Sequence, residues 1–174
     1  NALAGLVALT IKCMGYNNTF ASKGFAFENA LTGAMLQLNE NASANFLVGS
    51  YDEAADVQYK ASIRAHHFKT EYINNLSLFT SNTKGSIQGE GSSFFVLSGE
   101  ATAPTWCSIQ DVQLVYNPEP GSLREDLETF LSYNMNNKAD IHLLISAASG
   151  DSEHDTLLNS LVNSLFVDHP QARF

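Results

Sequence analysis

A junction between a short strand and a helix carries the residue types best suited to nucleophilic chemistry. Residues 19–25 read TFASKGF, and the helix is expected to begin directly after them. In an α/β fold such a junction exposes one side chain, and the helix N-terminus stabilises an anion formed there. Ser22 offers a hydroxyl at this position, beside Lys23 and Gly24. A serine directly before a helix is more often its N-cap, so Ser22 has two interpretations, of which the cap is the commoner.

Histidines and cysteines are the other reactive side chains. Adjacent His66 and His67 point about 100° apart on a helix and do not easily share one ion, which favours an ordinary surface helix. Cys13 and Cys107 lie far apart without Cys-x-x-Cys or Cys/His spacing, so we expect reduced, buried thiols. A phosphate-loop pattern and a strand-linked Gly-x-Gly-x-x-Gly are also absent. We therefore expect no metal site and no cofactor.

One basic cluster stands out in an acidic chain. Lys60 and Arg64 share a helix face by their spacing, and His66 and Lys69 follow closely. The chain has 9 basic and 18 acidic side chains and a net charge of −9, which disfavours nucleic acids and anionic membranes. The cluster is either a solvated helix face or a docking site for an acidic protein, and the first is the commoner case.

Helical periodicity and short apolar runs alternate along the chain. This alternation predicts an α/β fold in which a mixed sheet is covered by helices. The segment 45–49 is continuously apolar and is expected to be a strand buried on both faces, within a strand–helix–strand unit. The expected helices are about 1–13, 27–38, part of 51–72, 123–131 and 157–166, and the expected strands are 19–21, 45–49, 94–97, 109–116 and 141–147; 77–91 is expected to be a loop.

The length of 174 residues suits a single domain with its own core. The apolar stretch 2–11 falls short of the roughly 20 residues that a membrane-spanning helix needs. We expect a cytoplasmic protein without a membrane span. Because the chain begins with Asn1 and stops at Phe174 soon after a helical pattern, we also expect a piece of a longer protein.

Three segments together resemble the β-ketoacyl synthase family of the thiolase fold. They read GYNNT at 15–19, FLVG at 46–49 and SIQGEGSSFFVL at 86–97, and the last is the most specific, because a Gly-Glu-Gly turn runs into an apolar strand. The sequence of residues 25–31 and 48–53 is similar to that of a divergent, chain-length-factor-like branch found in aryl-polyene-type clusters. The resemblance covers nearly the whole chain and corresponds to the middle of a full synthase. It implies a partial condensing-enzyme fold over 1–174.

The chain departs from the family at its catalytic positions. The family's nucleophilic Cys falls on Gly24, within one position, and its first catalytic His falls on Ala147 or Ala148. Claisen condensation needs a thiolate to carry the acyl chain and imidazoles to promote decarboxylation, which Gly and Ala cannot replace. The second family His would lie beyond the printed sequence. The resemblance therefore implies no catalytic residue among those visible.

The leading hypothesis is a non-catalytic, chain-length-factor-like subunit that pairs with an active ketosynthase in fatty acid, polyketide or aryl polyene elongation. The implied partners are that ketosynthase or a second copy, and an acyl carrier protein with a phosphopantetheine-linked acyl chain, for which the basic cluster would be the docking site. The runner-up is an active 3-oxoacyl-acyl-carrier-protein synthase with Cys13 or Ser22 as displaced nucleophile. A third reading is a plain acyl-binding or regulatory module. By family position, the substrate or tunnel residues are Ser22, Lys23, Gly24, Phe25, Phe27 and Ala148.

Overall fold

The structure is a computed structural model that describes residues 2–101, 105–119, 121–135, 140–166 and 172–173. It is mixed α/β, as the sequence predicts. The chain forms two compact units: unit 1 comprises Asn1–Asp52 and Gly91–Leu114, and unit 2 comprises Glu53–Glu90 and Val115–Phe174. A single domain over 1–174 stays a prediction.

Unit 1 is built from two helices and a two-stranded antiparallel sheet. Its elements are α1 (Ala2–Thr10), a 3-10 turn (Lys23–Phe25), α2 (Ala26–Glu40), β1 (Asn45–Asp52) and β2 (Gly91–Ser98). The register of the sheet runs from Asn45 opposite Ser98 to Asp52 opposite Gly91. Leu31 and Ala34 of α2 bury their side chains against Val48 of β1. The helical stripe predicted from three- and four-residue spacing therefore faces the sheet, as core packing requires.

The first helix ends earlier than expected because of its C-terminal geometry. Lys12 has a φ of 55°, and the amide of Cys13 donates to the carbonyl of Ala8 at 2.8 Å, while that of Lys12 donates to Leu9 at 3.2 Å. This pair of bonds is a Schellman motif, in which a left-handed residue closes the helix. The helix stops at Thr10 although apolar residues continue beyond it.

Three sequence predictions are wrong in the sheet region. Residues 19–21 and 109–116 form no strand, and β1 pairs antiparallel with β2 instead of belonging to a strand–helix–strand unit. Only Val48 of β1 is buried, while Leu47 and Tyr51 on the opposite face are exposed. A continuous apolar run does not distinguish a strand covered on one face from a strand covered on both, because that depends on what packs against it.

Unit 2 is mainly helical. It contains α3 (Asp56–Arg64), a 3-10 helix (Asn75–Thr80), α4 (Ser122–Asn134) and α5 (Ser152–Leu165), with β3 (Ile145–Ser146) paired in parallel with β4 (Ala172–Arg173). The core lies at the end of α5, where Val162, Leu165 and Phe166 are buried among apolar side chains that include Leu127 and Leu131 of α4. The predicted helices in this half are confirmed.

Two further predictions change in unit 2. The buried strand expected over 141–147 shrinks to two residues, and Ile145 is 66% exposed. The expected loop over 77–91 includes the end of a 3-10 helix, and Ser86 then forms a parallel bridge with Phe68. These short elements depend on contacts between distant segments, which local periodicity does not report.

Candidate functional site

A largely apolar cavity of about 570 Å³ lies within unit 1. Its volume falls in the range of roughly 300–1,000 Å³ that is typical of small-molecule sites. Most of its wall consists of aliphatic and aromatic side chains from both helices and the sheet. They include Leu3, Val7, Ile11, Phe20, Phe27, Ala30, Ala34, Phe46, Val48 and Phe94.

Helix α1 forms one wall because its lining residues recur at helical spacing. Leu3 and Val7 are half-buried on the cavity side, whereas Leu6 and Leu9 are 61% and 76% exposed. Positions three and four apart share a face, so the lining residues form one stripe. The loop after α1 is tied back to this helix, since the Asn17 side chain donates to the carbonyl of Ala4 at 3.0 Å.

Aromatic rings contribute to the cavity wall, among them those of Tyr16, Phe27 and Phe46. The rings of Phe27 and Phe95 lie 6.2 Å apart, and those of Tyr16 and Phe46 meet edge to face at 6.3 Å. Both separations lie within the range in which aromatic rings attract one another. Phe27 also packs against the Leu31 core cluster, so it is a cavity wall and a core residue at once.

Of the site residues predicted at and after the strand–helix junction, Phe27 lines this cavity, whereas Ser22, Lys23, Gly24 and Phe25 do not. Ser22 occupies the N-cap position of the 3-10 turn, as predicted, but its side chain makes no capping hydrogen bond. The backbone closes the turn instead, with the Phe25 amide donating to the Ser22 carbonyl at 3.1 Å. Lys23 has a φ of 52°, and a Cβ placed on Gly24 would meet no atom within 4 Å. The local backbone therefore does not require glycine at 24.

Cys13 is a cavity residue that the sequence prediction placed differently. Both Cys13 and Cys107 are exposed free thiols, so the expectation of buried cysteines is wrong. Cys13 lines the cavity because the Schellman turn carries it past the end of α1. The sequence indicated only that an apolar helical segment ends at Cys13.

Ala148 lies in unit 2, in the turn that precedes α5, and so in a different unit from the other predicted site residues. The turn is held by polar contacts: Ser86 Oγ donates to the Ser149 carbonyl at 2.6 Å, and the amides of Ser149 and Gly150 donate to Asp155 at 2.8 Å. Sequence reasoning missed Asp155 and this network. Ala148 brings no group capable of acid–base chemistry.

Asp151 holds the start of α5. One carboxylate oxygen accepts from the amides of Glu153 and His154 at 3.0 and 3.2 Å, and the other accepts from the amide of Gly85. The hydrogen bonds from His154 and Gly85 favour the ionised form and lower the pKa of Asp151. An Asp followed closely by Glu before an apolar helix is a cap signal that the sequence did contain.

The pKa of Asp155 is also lowered. Burial of this carboxyl, whose side chain is 16% exposed, acts in the opposite direction, but hydrogen bonds from the Ser149 and Gly150 amides outweigh it. In their ionised form, the carboxylates of Asp151 and Asp155 both stabilise the turn that precedes α5. Neither is arranged as an acid–base pair, because backbone amides occupy their oxygens.

The basic cluster is smaller than the sequence indicates. Lys69 is 5% exposed, and its ammonium donates to the carbonyl and hydroxyl oxygens of Thr83 at 2.7 and 2.8 Å. Lys69 is therefore unavailable to a docking partner, because its ammonium is hydrogen-bonded within unit 2. Lys60, Arg64 and His66 remain on the exposed surface. Charge alone does not distinguish an inward from an outward lysine.

No family model, curated protein or solved structure matches the chain. Within the described ranges, no helix combines the length and apolar character needed to cross a membrane. The same part of the chain contains no group of three or more His, Cys, Asp or Glu side chains arranged to hold a metal ion.

Proposed function

We propose that this protein is a ketosynthase-like subunit of thiolase-type architecture that shapes the path of an acyl chain without performing the condensation. The observation that carries the proposal is the apolar cavity of unit 1 with Phe27 in its wall. Binding of an aliphatic chain in such a cavity is favourable, because the apolar surfaces of the chain and of the cavity wall are both removed from water.

The chemistry at the family positions supports a role without catalysis. Gly24 has no side chain to attack a thioester, and neither Ala147 nor Ala148 can hold or transfer a proton. The carboxylates near Ala148 serve the backbone of the turn.

The proposal includes two partners. An active ketosynthase would supply the thiolate and imidazoles, with a second copy of this chain as the alternative subunit. An acyl carrier protein would deliver the chain, and its acidic surface would meet Lys60 and Arg64 on α3. An exposed pair of cations on an acidic protein is the arrangement that favours such steering.

The test shortens the side chain of Phe27 in the cavity wall. The intact protein is assayed with the ketosynthase that co-purifies with it, and product chain lengths are measured by mass spectrometry. Phe27→Ala opens the wall, so we expect products longer by one extension unit or more; Phe27→Leu keeps most of the packing and should give a smaller increase. Phe79→Ala, which truncates an exposed ring of unit 2, is the matched control. The same product distribution from every variant, or the lack of any co-purifying ketosynthase, contradicts the proposal.

One observation favours a second candidate function, an active 3-oxoacyl-acyl-carrier-protein synthase with a displaced nucleophile. The Cys13 thiol is exposed and lines the same cavity. As a thiolate it would attack a thioester carbonyl, forming a new C–S bond while the carrier's thiol leaves and takes up a proton. Ser22 does not line the cavity, which makes Cys13 the better substitute.

Acyl transfer separates the two functions. The protein is incubated alone with acyl-loaded carrier protein, and its intact mass and peptide map are recorded. The proposed non-catalytic subunit acquires no acyl mass under conditions that acylate an ordinary ketosynthase. The second candidate acquires one acyl group at Cys13, lost in Cys13→Ser and retained in Cys107→Ser, whose thiol is exposed but does not line the cavity.

A further inference from the structure

The polar rim of the unit 1 cavity has an uneven charge. Among the described residues that line the cavity, Glu40 is the one Asp, Glu, Lys, Arg or His. Five of the other polar lining residues carry side-chain amides. They are Gln37, Asn41 and Asn45, with Asn17 and Asn18 from the loop after α1.

Glu40 lies where a helix already presents negative charge. It is the last residue of α2, whose final turn contains no basic side chain. The free carbonyl groups of a helix C-terminus carry a partial negative charge, which repels anions and attracts hydrogen-bond donors. The carboxylate and the helix end therefore act in the same direction. Lys12, an exposed neighbour of two lining residues, does not itself line the cavity.

We propose that the cavity takes an aliphatic chain whose head group is uncharged, such as an alcohol or a thioester, and that Glu40 selects against the free carboxylate. The inference rests on the proposed function in one respect, that an aliphatic chain occupies this cavity. It goes further in assigning head-group selection to one residue. A free fatty acid at neutral pH would place its carboxylate beside a second carboxylate and a helix C-terminus.

The experiment measures the dissociation constants of 1-dodecanol and laurate for the intact protein by calorimetry. Measurements are made at pH 8, with laurate below its critical micelle concentration and dodecanol below its aqueous solubility. Because the alcohol is intrinsically more apolar, the informative quantity is the ratio of the two constants and its change on substitution. Glu40→Lys should improve laurate binding relative to dodecanol by about tenfold. Glu40→Gln should give an intermediate change.

The matched control is Glu100→Lys, which changes the net charge equally at an exposed position of unit 1 outside the cavity lining. A ratio that is unchanged in Glu40→Lys, or that shifts equally in Glu100→Lys, overturns the head-group inference while leaving chain binding intact. Binding of neither ligand to the unsubstituted protein overturns the proposed cavity function as well. The two failures are therefore distinguishable.

Discussion

Gly85 is a residue of unit 2 at which backbone geometry restricts the choice of side chain. Its φ is +80°, and a Cβ built there would lie 2.8 Å from the backbone carbon of Phe68. Its amide also donates to Asp151. Glycine is needed because the left-handed conformation and the close approach both penalise a side chain.

Replacing Gly85 should therefore destabilise the protein. We expect Gly85→Ala to lower the free energy of unfolding by about 1–3 kcal/mol, measured by urea denaturation, because the backbone must move away from Phe68. Gly89→Ala is the control, since a Cβ at Gly89 meets nothing within 4 Å and its φ is not left-handed. Equal stability losses in the two variants would contradict this account.

Lys69 shows how a single buried charge changes a functional interpretation. Its ammonium is satisfied by two oxygen atoms of Thr83, so burial does not leave it without hydrogen bonds. The coulombic effect of Lys69 also contributes to the lowered pKa of Asp151. Its charge therefore stabilises unit 2 internally.

At the scale of elements, the N-terminus of α5 depends on Asp151. The carboxylate accepts hydrogen bonds from the first amides of the helix, which have no partner within the helix itself. Its pKa is lower in the folded protein than the ordinary value of 3.8. The stabilisation is therefore complete above that ordinary value and is lost as the pH falls through the folded pKa.

We expect Asp151→Ala to lower the free energy of unfolding by about 1 kcal/mol at pH 7, a typical cost of losing a helix cap. The deficit relative to the unsubstituted protein should shrink as the pH falls below 3.8, because both proteins then lack the carboxylate bonds. Chemical denaturation across this range measures it. Glu125→Ala, which removes a carboxylate from the first turn of α4, is the control. A deficit that stays constant down to acidic pH would exclude the charge as its origin.

The β1–β2 ribbon illustrates what element-level patterns omit. Val48 and Phe95 are opposite one another, and Phe95 meets Phe27 of α2, whereas Leu47 and Val96 form a pair that is 52% and 69% exposed. Successive strand residues point to opposite faces, so apolar residues on both faces do not establish burial on both. Only one face contacts α2.

At the scale of the whole molecule, the net charge of −9 makes the exposed cations of α3 conspicuous. We expect Lys60→Glu/Arg64→Glu to weaken binding of an acidic acyl carrier protein and to flatten its salt dependence, because salt screens the attraction that is removed. Binding is measured by calorimetry at several salt concentrations.

The control for this pair is Lys12→Glu/Arg124→Glu, which changes the net charge equally at exposed positions outside α3. Carrier affinity that falls equally in both double variants would indicate a general charge effect. Unchanged affinity in Lys60→Glu/Arg64→Glu would remove α3 as the docking surface.

The sequence by itself determined the helices α2, α4 and α5 and the positions of β1 and β2. Their signals, periodic apolar residues and short apolar runs, lie within each segment and need no distant contact. It also predicted Phe27 as a residue of the apolar stripe, which the structure confirms; its role as a tunnel residue, which the family resemblance implies, stays a prediction.

Only the tertiary structure decided which segments meet. The antiparallel partner of β1 is β2, which follows it only after a long intervening segment. The Asp151 carboxylate accepts from the amide of Gly85, which is distant in the sequence, and Lys69 turns inward to Thr83. The exposure of Cys13 follows from a turn closed by Lys12 in a conformation that its residue type does not favour. These outcomes depend on packing between distant segments, and local propensity is too weak to specify such packing.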